Sequence, residues 1–174
     1  MSDLSNDAFP EGPQGIRARY FNVYRLASYF LILFTVGHTL GTVVMTPAFG
    51  PESDTVVSAM KSVHLNAQGA DCTWYGFFRG MSISVSLAMI LQTVMAWYLG
   101  GKTPRDRHAL APLSWTLFLT LVAGIVNTWL YFFPAAIFFS IIVTVLVGIG
   151  CTRDWRAARE PDTWNAAKGH PETL

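Results

Sequence analysis

Three side chains of this chain could carry proton transfer on an apolar substrate: Asp71, His38 and Arg79. A carboxylate or imidazole taken out of water can titrate near neutral pH, while a fixed guanidinium orients a carboxylate or stabilises developing oxyanion charge. Arg79 is the most informative, because it falls inside an apolar block where a guanidinium costs about 2.5–3.5 kcal/mol at a helix centre. It needs a partner, a wet cavity or a route to lipid headgroups. Asp71 and Tyr75 precede it at four-residue steps, so the three share one side of a helix. His38 and Asn127 fall at a similar depth in other apolar blocks, and His64, Trp74 and Tyr131 belong to the same level. Asp71, His38 and Arg79 are therefore the candidate catalytic residues, with Tyr75, Asn127, His64, Tyr131 and Trp74 as candidate substrate-binding residues. Such a set suits epoxide opening first, then double-bond isomerisation or proton-started cyclisation.

Each member also has a bland reading. Arg79 lies on the order of 10 Å below the end of its block, within reach of snorkelling to headgroups. Trp74 and Trp129 have the character of interfacial anchors. His38 could bond a neighbouring helix, and His64 could be a solvated loop residue. Only the conjunction of His38, Asp71 and Arg79 goes further. Two readings from other classes stand beside the enzyme. One is a non-catalytic membrane subunit or scaffold, whose Gly37 and Gly41 pack on a partner or a second copy and whose Arg79 meets a partner carboxylate. The other is a binding protein for a lipophilic ligand, which would tolerate loss of Asp71.

The elements that must position these residues follow from hydropathy. Of 174 residues, 52% are hydrophobic and 13% charged, which leaves too little polar surface for an ordinary soluble domain. The apolar residues gather in four blocks, at about 22–44, 73–99, 110–130 and 132–151, each near the ~20 residues that cross a bilayer. The expected fold is all-α: a four-transmembrane-helix bundle forming one integral membrane domain, with residues 1–21 and 152–174 as solvated tails. Lys and Arg are retained in cytoplasmic connections. Arg17 and Arg19 precede the first span, Lys102, Arg105 and Arg107 lie between the second and third, and Arg153, Arg156, Arg159 and Lys168 follow the fourth. The first connection has only Lys61 and the third has none, so both termini are expected on the cytoplasmic side. The first outer loop has Val56, Val57, Met60 and Val63 at helical spacing, the pattern of a short amphipathic helix lying as a lid. Cys72 and Cys151 then fall at opposite ends of the bundle, too far apart for a disulfide. Small and polar residues stripe each span, among them Ser82 and Ser86, Thr120, Gly124 and Asn127, and Ser140 and Thr144; such residues commonly serve close helix packing. Nearly all ionisable groups of the bundle fall in its outer half, leaving Ser, Thr and Gly for the inner half.

A net charge of +1 without a basic face excludes a nucleic-acid partner. No phosphate-binding glycine loop, nucleophile elbow, HExxH or paired-cysteine motif occurs, and no cofactor or metal is expected. The expected partners are the bilayer and a lipophilic small molecule. The segments Gly37-His38-Thr39-Leu40-Gly41, Met60-Lys61-Ser62-Val63-His64 and Trp74-Tyr75-Gly76-Phe77-Phe78-Arg79-Gly80-Met81 resemble a family of small, mostly uncharacterised four-span membrane proteins over about residues 22–150. Some similar small membrane proteins act in secondary-metabolite pathways as cyclases, isomerases or epoxide-opening enzymes, and the resemblance implies topology more than activity. The orientation is open to a direct check. In a Cys72→Ser background, an impermeant maleimide applied to intact cells is expected to label Asn66→Cys and to spare Thr103→Cys; the reverse pattern inverts the topology.

Overall fold

The structure, a computed structural model, describes residues 22–44 and 50–157. The charged tail residues Arg17, Arg19, Arg159 and Lys168 lie outside them, as does the start of the first connection. Helix α1, Val23–Thr39, runs on through a π-helical turn, Leu40–Val44. Helix α2, Pro51–Ser62, leads into strands β1, His64–Ala67, and β2, Ala70–Thr73. Helix α3 is Trp74–Gly100, α4 is Pro104–Ala109, α5 is Ala111–Tyr131 and α6 is Pro134–Ala157. Four segments are long and apolar enough to cross a membrane: Val23–Val44, Trp74–Gly100, Ala111–Tyr131 and Pro134–Arg156. Helices are the natural form here, because lipid offers the backbone no hydrogen-bond partners and a helix satisfies them internally.

Local signals mark where the helices start. Side chains of Asn22, Thr73 and Thr103 cap α1, α3 and α4 by accepting from the backbone amides of Arg25, Gly76 and Asp106. Proline, which has no amide hydrogen to leave unpaired, occupies the first turn of α2, α4, α5 and α6. Only Phe132 and Phe133 separate α5 from α6, so these two must run antiparallel side by side. Helix α1 packs along α3 and α6, and α6 along α5, while α3 and α5 meet more sparsely.

The connection between α1 and α3 departs from the all-α expectation. It holds a helix, but the chain then folds into an antiparallel hairpin with Ala67 opposite Ala70. The two-residue turn, Gln68-Gly69, has positive φ at both positions, 54° and 83°. That is the turn whose twist matches the flanking strands, and Gly69 makes it accessible. Glutamine at the first position is not among the residues that announce such a turn, so the hairpin was not apparent from the sequence. Within α2, Val57 and Met60 are half-buried and Val56 is exposed, while Val63 lies just past the helix as its cap.

Packing density differs between the two ends of the bundle. At the α4 end a continuous core joins Val23, Tyr24, Ala27 and Leu31 of α1 to Ala96 and Leu99 of α3, Leu117 and Leu121 of α5, and Val143, Val147 and Cys151 of α6. Close approach there depends on glycines. A Cβ on Gly150 would lie 2.5 Å from the Tyr24 ring, one on Gly148 2.9 Å from Phe118, and one on Gly100 2.8 Å from Arg25. Gly37 and Gly41, expected to be packing glycines, have no atom near enough to meet a Cβ. Neither marks a close helix approach that requires glycine within the described residues.

The end of the bundle that carries α4, expected to be the inner half and uncharged, holds a charged cluster. The Asp154 carboxylate, 8% exposed, accepts from the Tyr24 hydroxyl at 3.0 Å and from Arg107 Nε at 2.8 Å. Arg107 donates a further bond to the Lys102 carbonyl at 2.5 Å, and Cys151 Sγ reaches the Ser114 carbonyl. The Asn22 amide bonds the Gly100 carbonyl, and the Arg25 guanidinium stacks over Trp97 at 3.7 Å. A buried carboxylate stripped of its cation is strongly destabilising, by roughly 3–5 kcal/mol. Arg107→Ala is therefore expected to lower the unfolding midpoint in micelles more than Tyr24→Phe, which removes one hydrogen bond to a charged group, worth about 1.5–3 kcal/mol. Gly150→Ala is expected to destabilise by about 1–3 kcal/mol through overpacking against Tyr24, whereas Gly37→Ala leaves the midpoint unchanged in the same denaturation assay.

Candidate functional site

Toward the other end the four helices separate around a cavity of about 200 Å³. Leu31, Leu121 and Val143, shared with the core, form its floor. Above them α1 contributes Phe34 and His38, which with Leu31 follow one helical face. Helix α3 contributes Val85, Ala88, Met89 and Gln92; α5 contributes Thr120, Gly124, Asn127 and Thr128; Phe132 and α6 residues Ala136 and Ser140 complete the wall. Phe34 is itself held by stacking on Phe139, with ring centroids 5.8 Å apart.

The polar groups of this wall are of two kinds. The hydroxyls of Thr120, Thr128 and Ser140 donate back to carbonyls one turn earlier on their own helices, at 2.9, 2.7 and 2.9 Å. Such back-bonds are the usual resolution for a hydroxyl inside a membrane helix. His38 differs, because its Nε2 is buried with no hydrogen-bond partner among the described residues. An unpaired buried ring nitrogen costs about 1–3 kcal/mol, so the position is held at an expense that a ligand could relieve. Nearby, the Thr39 hydroxyl bonds Ser86 across to α3 at 3.0 Å, which fixes the end of α1 and hence the imidazole's height. The π-helical turn begins two residues beyond His38; wide turns of this type recur at functional sites.

The cavity opens sideways. Val85 and Phe132 are each 45% exposed, and Ala88, Thr120 and Asn127 are exposed too. These belong to α3 and to α5 with its end, which pack more thinly than α1 with α3, α1 with α6 or α5 with α6. The mouth therefore lies on the flank of the bundle, between two helices apolar enough to span a membrane. A second hollow, about 510 Å³, lies between α1 and α3 and is lined by Ile32, Val36, Leu40, Ile90 and Val94 with Thr35, Thr39 and Thr93. All three of those hydroxyls are bonded within the protein, so it offers an apolar groove without a free polar group.

Of the residues singled out from the sequence, His38 and Asn127 line the cavity together. Asp71 does not join them: in the hairpin it pairs with His64, its Oδ1 2.7 Å from the ring Nδ1, and both side chains are more than half exposed. Arg79 continues the buried α3 stripe of Ser82, Ser86 and Met89 but is exposed, about 10 Å along the axis from Ser86. Among the described residues its guanidinium has no hydrogen bond or ion pair. Tyr75 is half-buried with the Lys61 ammonium 5.1 Å above its ring. Trp74 lies edge-on to Phe77, and Tyr131 is 76% exposed at the end of α5. None of these lines the cavity, and among the described residues no three His, Cys, Asp or Glu side chains gather as a metal site requires.

Gln92 was missed by sequence reasoning although its signal was plain: an amide within a membrane span needs a partner or a cavity. Thr120, Gly124 and Ser140 were visible as members of polar stripes, but their convergence depends on how the helices rotate. The chain matches no family model, no curated protein and no solved structure.

Proposed function

We propose that the protein binds a lipophilic small molecule in the cavity between its four spanning helices, with His38 as the polar anchor. The observation that carries this reading is a cavity of about 200 Å³ between the spanning helices, lined by His38, whose Nε2 is buried without a partner among the described residues. A lipophilic molecule that carries a hydrogen-bonding group, dissolved in the bilayer, would enter between α3 and α5 and bond that imidazole. On the expected topology, with both termini cytoplasmic, the cavity belongs to the outer half of the bundle, and α2 with the hairpin covers the outer face near it. If the ligand is also transformed, His38 is the single group of the cavity suited to proton transfer, with Asn127 as a positioning amide. Epoxide opening or isomerisation would then proceed without Asp71 and Arg79 in contact with the reacting atoms.

A second reading, a non-catalytic membrane subunit, is favoured by Gly37 and Gly41, which meet nothing within the described residues, and by the unpaired guanidinium of Arg79. It requires a partner helix against that side of α1 or a carboxylate brought to Arg79.

The readings separate in a ligand assay. Ring-sized lipophilic compounds are titrated against the full chain in micelles, where a ligand that binds the folded state raises the unfolding midpoint. The expected outcome is that active compounds lose roughly fivefold to tenfold in affinity with His38→Leu, the worth of one buried hydrogen bond, and keep their affinity with Asp71→Asn. If no compound shifts the midpoint, the ligand-binding reading is wrong and the subunit reading takes its place. Loss of binding with Asp71→Asn would bring Asp71 back into the site.

A further inference from the structure

We propose that the cavity is selective for a neutral, ring-sized molecule bearing a hydrogen-bond donor, an alcohol or phenol, over ethers, hydrocarbons and ions. The inference rests on the ligand-binding reading above and deepens it. It follows from where the protons of the wall already point. Thr120, Thr128 and Ser140 each direct their hydroxyl hydrogen to a main-chain carbonyl, and Thr128 Oγ1 also lies 3.5 Å from Ser140 Oγ. A hydroxyl oxygen with its proton committed still has lone-pair capacity, so these three groups face the cavity as acceptors. Gln92 and Asn127 can either donate or accept. His38 Nε2 accepts in the tautomer that carries its proton on Nδ1.

The wall is thus richer in acceptors than in donors, and a ligand that brings a donor satisfies more of it. An ether or ketone oxygen could be met only by the two amides or the opposite imidazole tautomer, and would leave the spare lone pairs of the hydroxyl oxygens unused. Ligands that lack the group a buried site is built to bond are rejected more strongly than ligands of slightly wrong size. Charge is excluded on separate grounds. No Asp, Glu, Lys or Arg lines the cavity. An ionised carboxylate, phosphate or ammonium would lose its water there with no fixed charge of opposite sign to meet it. Size sets the last limit: an apolar cavity of about 150 Å³ accepts benzene, so about 200 Å³ accommodates a substituted six-membered ring but not a long lipid tail with its headgroup.

The test uses the full chain in micelles and four probes of one shape: 4-methylphenol, its methyl ether, toluene and 4-methylbenzoate. Dissociation constants are measured by ligand-observed NMR and expressed relative to each probe's concentration within the micelle. The expected result is at least tenfold tighter binding of 4-methylphenol than of the ether or toluene, and no saturable binding of the benzoate. Ser140→Ala and Thr128→Val are expected to narrow the gap between phenol and ether while leaving toluene binding as it was. Equal binding of phenol, ether and toluene would overturn the donor preference and leave the cavity reading intact. Tightest binding of the benzoate would overturn the neutral class, and absence of binding by all four would overturn both the preference and the reading beneath it.

Discussion

Asp154 is a carboxylate buried at one end of an apolar bundle, and the arrangement of the helices there turns on keeping it paired. Its two oxygens draw the Tyr24 hydroxyl from α1 and the Arg107 guanidinium from α4 onto α6. Once those three segments are joined, Tyr24 must lie against Gly150, a closeness that only a residue without a side chain permits. Core residues from all four spanning helices then fill the space around that contact. A charged cluster of this kind need not raise net stability over an apolar substitute. What it supplies is a definite register, since neither the carboxylate nor the guanidinium has another counter-charge among the described residues.

Fixing the helices at one end lets them part at the other. Two sparsely packed neighbours, α3 and α5, border the opening, and the residues along it change from Ala and Leu near the core to Val85, Ala88, Thr120 and Asn127. The cavity is thus a continuation of the core in which side chains no longer fill the space between helices. Leu31, Leu121 and Val143 belong to both. Rigid packing below gives His38 and Asn127 their fixed separation across the bundle, while the Thr39–Ser86 bond holds α1 to α3 beside them.

The spanning helices were legible in the sequence because hydropathy over about 20 residues is a strong signal that needs no knowledge of neighbours. His38 and Asn127 were legible for a related reason, since polar groups in apolar blocks must find company. What could not be read was which groups keep that company. Asp71 and Arg79 seemed to share a site because they share a helical side, but β2 ends before α3 begins, and the strand pairing turns Asp71 toward His64 instead. Asp154, Tyr24 and Arg107 were each visible, yet 47 and 130 residues separate the bonded pairs, and no local pattern links them. Gly37 and Gly41 have the spacing of a packing motif without the contact, while Gly148 and Gly150 make the contact.

For a ligand bound as proposed, the sideways mouth between α3 and α5 would change what concentration means. A site reached from hydrocarbon is in equilibrium with solute dissolved in the bilayer, so its filling follows the mole fraction of ligand among lipids and not its molarity in water. Two molecules with equal complementarity to the wall would then occupy the site very differently if one partitions into membranes a hundredfold better. The bilayer would act as the first stage of selection, rejecting what stays in water before any side chain is met. A modest preference at the wall could in that case support a sharp preference overall.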